Sequence, residues 1–278
     1  MREPKFDFPV IEKTFKRIGT RDVKLYIFEP VIEKKNKAVI LFFIGGTFKQ
    51  NPQSPAVFQH QANYFASLGM VAICVDYRAG HDEGFTPKHA IADAKSAVRW
   101  VRKYADELGS DREKVIMCGS SAGGYVCVSS IMFDHLNDEP HYSQTRDHIP
   151  NALIIFGAGM DGIDIMQRMD GIDIMQRRYP QLLDQASEIS PFHNIKKALP
   201  STLWMCGTKE DTPSIPNGLY EQNKLFVKQM VDAGNEIVFE EYEGMEHGFF
   251  KYGKHENKYF QQTNERMAEF LKGMGFVN

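Results

Sequence analysis

Two serines stand side by side, Ser120 and Ser121, inside "KVIMCGSSAGGYVCV". A serine hydroxyl is a poor nucleophile unless a base removes its proton and its Oγ is held toward the substrate. A G-x-S-x-G arrangement at a strand-to-helix turn meets the second requirement, because the flanking glycines let strand and helix approach closely. Ser121 has Gly119 and Gly123 at those offsets, whereas Ser120 has Cys118 and Ala122, both carrying Cβ atoms. Ser121 is the expected nucleophile and Ser120 its small neighbour.

Attack by Ser121 on a carbonyl would need backbone N–H donors for the developing oxyanion. One is expected from Ala122, the residue after the nucleophile, and the other from the turn after "AVILFF", at Gly45, Gly46 and Thr47. The base is expected after the last strand. Among 9 histidines, His247 in "YEGMEHGFFKY" alone follows a terminal strand pattern and precedes a final helix. His193 reads as structural. His81, His89, His135, His141 and His148 read as surface or lid residues. An acid that orients the imidazole belongs after the preceding strand. There "STLWMCGTKEDTPSIPN" offers Glu210 and Asp211 in adjacent positions.

The elements that must position these groups are legible as short apolar runs alternating with amphipathic segments. Strand patterns are "KLYIFEP", "AVILFFIGG", "MVAICVDYR", "KVIMCGS", "NALIIFGAG", "STLWMCGT" and "EIVFEEYEG". Several are almost continuously apolar, as strands covered on both faces require. Over residues 87–109, Ile91, Ala94, Val98, Val101, Ala105 and Leu108 recur at helical spacing, and Gly109 is placed to end the helix. Residues 59–68, 218–233 and 257–272 read similarly, and "GGYVCVSSIM" is helix-compatible. The alternation predicts an α/β fold with a mostly parallel central sheet flanked by helices.

One segment breaks the rhythm: "MDGIDIMQR" at 160–168 is repeated identically at 169–177. Nine residues turn a helix by about 900°, half a turn out of phase, and reverse a strand's face. The duplication therefore reads as part of a lid-like insertion over the sheet's end, at 158–187 within one domain spanning 1–278. Its apolar residues hint at a homo-oligomer contact.

The formal net charge is -3 with no block of like charge, which gives nucleic acid or an acidic membrane no electrostatic footprint. The N-terminal stretch has no apolar signal core, and no apolar run approaches the roughly 20 residues of a bilayer span. The expectation is a cytoplasmic protein with no membrane partner. The 4 cysteines, Cys74, Cys118, Cys127 and Cys206, lie in apolar runs without metal-type spacing and read as core thiols. No metal and no organic cofactor is expected.

From about residue 36 onward the chain resembles the α/β-hydrolase fold, in its esterase/lipase branch of hormone-sensitive-lipase-like and carbohydrate acetyl esterases. The carriers are "FFIGGTF", "GMVAICVDYR", "DAKSAVRWVRKYADELGSDREKV", "GSSAGG", "SEISPFHNIKKALPSTLWMCGTKED" and "YEGMEHGFF". The resemblance implies a serine carboxylesterase for short acyl esters, acetyl above all, with oligosaccharide esters as one substrate class. A small-molecule amidase or formamidase and a non-catalytic ligand-binding relative are the competing classes. Relatives commonly carry His-Gly-Gly-Gly where this chain has Ile44-Gly45-Gly46-Thr47; the Gly46 and Thr47 amides remain as main-chain donors. Relatives often show GT-x-D-x-x-x-P in the acid loop. Counting from Gly207 selects Glu210, counting back from Pro216 favours Asp211, and aspartate is the commoner acid, so Asp211 is expected with Glu210 as the alternative. Phe48, Phe249 and the insertion are candidate pocket walls.

Overall fold

The computed structural model describes residues 4–32, 35–46, 54–79, 86–139, 146–161, 186–210 and 218–277. Its centre is an 8-stranded sheet in the order β1-β2-β4-β3-β5-β6-β7-β8. The strands are β1 (Ile11–Ile18), β2 (Arg21–Phe28), β3 (Lys37–Phe43), β4 (Val71–Val75), β5 (Ser110–Ser120), β6 (Ala152–Phe156), β7 (Thr202–Lys209) and β8 (Ile237–Glu246). β2 runs antiparallel to β1 and β4, and every pairing from β4 through β3 to β8 is parallel. The mostly parallel α/β sheet expected from the apolar runs is therefore present.

Continuous apolar strands arise because both faces are buried. Val39, Leu41 and Phe43 of β3 enter one core with Ile91, Val98, Tyr125, Phe226 and Met230. The alternating Ala38, Ile40 and Phe42 enter the other with Phe58, Phe65, Met267 and Leu271. Phe58 ends a short 3-10 turn, Pro55–Phe58, and the helices that supply the other residues are α1 (Gln59–Ser67), α2 (Pro87–Lys103), α4 (Ala122–Met132), α5 (Leu219–Asp232) and α6 (Lys258–Gly273), with the short α3 (Ala105–Leu108) following α2. The pattern over 87–109 thus forms two helices. Tyr104 leaves helical geometry between them, and Gly109, at φ 59, ends the second.

β1 carries no strand pattern in the sequence reading. Its residues "IEKTFKRI" lie largely in solvent at the sheet's edge, so burial imposes no alternation there. Lys16 of β1 is an exception, reaching Asp93 at 3.0 Å and Asp138 at 2.5 Å. Arg78, after β4, binds the same two carboxylates at 2.7 and 2.5 Å. Asp93 is thus a buried structural acid. His148, read as a surface or lid residue, is also buried, 2% exposed, with Arg99 Nη2 3.4 Å from its Nδ1. His81 and His141 lie outside the described residues.

All four cysteines are buried and unpaired by disulfide. Among the described residues no helix is long and apolar enough to cross a membrane. Of the insertion, residues 162–185 lie outside the described residues.

Candidate active site

Parallel strands put all their carboxyl ends on one edge of a sheet, where the connecting loops converge. Gly45 and Gly46 follow β3, Ser121 follows β5, Glu210 follows β7 and His247 follows β8, each just past its strand. Residues far apart in sequence meet for that reason.

Ser121 links β5 to α4 at φ 53, ψ -123, a conformation that side-chain-bearing residues seldom hold. Its amide donates to the carbonyls of Phe156 and Gly157 at 3.0 and 3.1 Å, and its own carbonyl accepts from Tyr125 N at 3.1 Å. The turn is therefore pinned by β6 on one side and α4 on the other. The flanking glycines are required by packing: a Cβ on Gly119 would lie 2.6 Å from the Gly123 carbonyl oxygen, and one on Gly123 only 2.1 Å from that of Phe43. Ser120 is buried at the last position of β5.

The acid beside the histidine is Glu210. Its Oε2 accepts from His247 Nδ1 at 2.9 Å, and its Oε1 accepts from Gly207 N at 2.9 Å. The Glu210 side chain is 2% exposed and that of His247 26%. With Nδ1–H committed to the carboxylate, Nε2 is left as the basic nitrogen. Asp211, favoured by distance from Pro216 and by the commoner residue type, lies outside the described residues, and the carboxylate observed on His247 is that of its neighbour. Loop spacing alone does not resolve which of two adjacent carboxylates reaches the imidazole. Among the described residues, no hydrogen bond joins Ser121 Oγ to His247 in this conformation; such bonds often tighten only with substrate bound.

Gly45 of the expected oxyanion turn sits against the nucleophile, since a Cβ there would lie 2.9 Å from Ser121 Cβ. Gly46 follows at φ 141. Ala122 opens α4, and the first N–H groups of a helix find no acceptor inside it. Thr47 and Phe48 lie outside the described residues. The brace for this turn is the tyrosine near the end of "MVAICVDYR". Tyr77 Oη donates to the Ile44 carbonyl at 2.6 Å, and burial pushes its phenol pKa up, keeping it a donor. The sequence signal was available in "VDYR", a tyrosine ending the strand that neighbours β3.

Phe249 is fully buried, packed on Tyr242 and Tyr259. His193 Nδ1 lies 2.8 Å from Ser190 Oγ. Burial and the Glu210 carboxylate push the Cys206 thiol pKa up. Among the described residues no group of histidine, cysteine and carboxylate side chains could hold a metal ion.

The family description BD-FAE matches residues 25–230. Esterase 2 of Thermogutta terrifontis, in a structure phosphoramylated by tabun, is 34% identical, superposes with a TM-score of 0.83 and covers 99% of this chain and 97% of that one. A propionate-bound structure of the same esterase is 34% identical with a TM-score of 0.81, covering 96% and 95%. Esterase LipC of Mycobacterium tuberculosis is 24% identical over 231 residues, 77% of this chain and 54% of its own length. The chain thus spans about half the length of that curated relative. A sheet of this order, an elbow serine and a histidine–carboxylate pair at its carboxyl edge, and a match over 25–230 together place the chain in the BD-FAE family of α/β-hydrolase-fold esterases.

Proposed function

We propose that the chain is a serine carboxylesterase for short acyl esters, acetyl esters included. The observation that carries this reading is the strained Ser121 elbow on the same sheet edge as the His247–Glu210 pair. Ser121 Oγ attacks the ester carbonyl while His247 Nε2 takes its proton, and Glu210 stabilises the resulting imidazolium. Amides of Gly46, Thr47 and Ala122 receive the oxyanion. His247 then protonates the departing alcohol, leaving an acyl group on Ser121. Water, deprotonated by His247, releases the carboxylic acid and restores the serine.

Propionate bound to the Thermogutta esterase supports a small acyl site here. The carbohydrate acetyl esterase resemblance supports acetylated oligosaccharides as the alcohol side. Purified wild type and Ser121→Ala are assayed for acetate release from acetylated xylo-oligosaccharides and for cleavage of an aryl acetate. Wild-type release that Ser121→Ala lacks is the expected outcome. Aryl acetate cleavage alone discards the sugar substrate, and equal activity in both proteins overturns the nucleophile. A second readout is the intact mass after exposure to paraoxon, with an adduct expected on wild type and none on Ser121→Ala.

A further inference from the structure

A glutamate is one methylene longer than an aspartate, so a site that seats a glutamate must find room for that length. The room lies at Gly157, the first residue past β6. A Cβ built there would stand 1.9 Å from Glu210 Oε2 and 2.6 Å from both Cδ and Oε1. No alanine coexists with the carboxylate where it now lies. Nor can the backbone retreat easily. Gly157 N donates to the Met205 carbonyl at 2.9 Å, and the Gly157 carbonyl accepts from the Ser121 amide at 3.1 Å. The next residue is fixed as well, because Ala158 N donates at 3.0 Å to Oδ1 of the buried Asn223, which also takes Trp204 Nε1 at 2.7 Å.

We propose that Gly157 is a positioning residue: its bare Cα is the floor on which the long acid rests, and glycine at 157 and glutamate at 210 are a matched pair. This rests on the reading of Glu210 and His247 as acid and base. With any side chain at 157 the carboxylate must leave His247 Nδ1. Shortening the acid to aspartate withdraws it by one C–C bond, about 1.5 Å, and relieves the conflict.

The test is a double-mutant cycle of Gly157→Ala, Glu210→Asp and both together, on an aryl acetate. Gly157→Ala is expected to lower kcat by about 10²-fold with KM nearly unchanged, the effect of displacing a catalytic group by about an ångström. In the Glu210→Asp background the same change is expected to cost under about tenfold, a coupling in the range of contacting residues. Gly157 sits at φ 26, so alanine there also strains the backbone. That strain is the same whichever acid stands at 210, and thermal melts of all four proteins measure it separately. Equal losses in both backgrounds would overturn the proposal. So would a downfield imidazole Nδ1–H proton resonance unchanged by Gly157→Ala, a measurement on folded protein that needs no turnover. If Ser121→Ala retained wild-type activity while that resonance vanished in Gly157→Ala, the Ser121 nucleophile reading would fail and the pairing would stand.

Discussion

Ser121 occupies φ 53, ψ -123, where a side chain costs of order 1–3 kcal/mol. The two hydrogen bonds that its amide donates at the end of β6 and the seating of Gly45 against its Cβ hold it there. At this scale the carboxylate on the histidine is that of Glu210, which bridges Gly207 N and His247 Nδ1. Glu210→Gln is expected to lower kcat by roughly 10⁴-fold, the scale of a carboxylate-to-amide change that leaves the wrong tautomer. Asp211→Ala is expected to keep most of the activity, and steady-state kinetics on an aryl acetate separate the two. Tyr77→Phe removes the donor to the Ile44 carbonyl and loosens the oxyanion turn. A fall in kcat of about tenfold is expected, below the loss from removing an oxyanion donor outright. Binding of a boronic acid transition-state analogue should weaken in parallel while KM holds. Weakening of KM alone would show Tyr77 shaping the pocket instead.

The elbow as an element depends on how close α4 comes to β3. A Cβ on Gly123 would meet the carbonyl oxygens of Phe43 and Ile44 at 2.1 and 2.5 Å, both on the strand end that leads into the oxyanion turn. Gly123→Ala is expected to cost about 1–3 kcal/mol by overpacking and to abolish turnover, read from thermal melts and kinetics together. Gly273→Ala is the matching control. It ends α6 with open space around it and is expected to be neutral or slightly stabilising. The G-x-S-x-G spacing made these glycines legible because a side-chain-free contact needs glycine itself. β1 was not legible, since an edge strand exposed on most positions has no burial pattern to write into its sequence. The break at Tyr104 was hidden for the opposite reason: the apolar stripe continues across it, with Val101 and Ala105 both buried.

Across the whole molecule, a buried ionic layer ties β1, the end of β4, α2 and the segment after α4. His148 belongs to this layer. Burial first, then the Lys95 and Arg99 charges, push its pKa down to about 4. It is therefore neutral when folded, while the unfolded chain takes up a proton below about pH 6.5. Its contribution is full above about pH 6.5 and is lost as pH falls toward 4, by up to about 3 kcal/mol. Asp76, pushed up to about 6 by burial, acts with the opposite sign over part of this range. The difference in chemical-denaturation stability between wild type and His148→Gln isolates the histidine, and it should shrink steadily from pH 7 to pH 4. A constant difference would mean that His148 does not titrate on unfolding. The sequence by itself determined the alternating α/β order and the buried double-faced strands, and it marked Ser121 and His247 as candidates, because periodicity, glycine spacing and chain order are local or ordinal properties. Only the tertiary structure decided which neighbouring carboxylate meets His247 and which glycine makes room for it. It also decided which tyrosine holds the oxyanion turn, and that His148 is buried. Those depend on contacts between loops brought together at one edge of the sheet, such as Gly157 against Glu210, and no spacing along the chain encodes such distances.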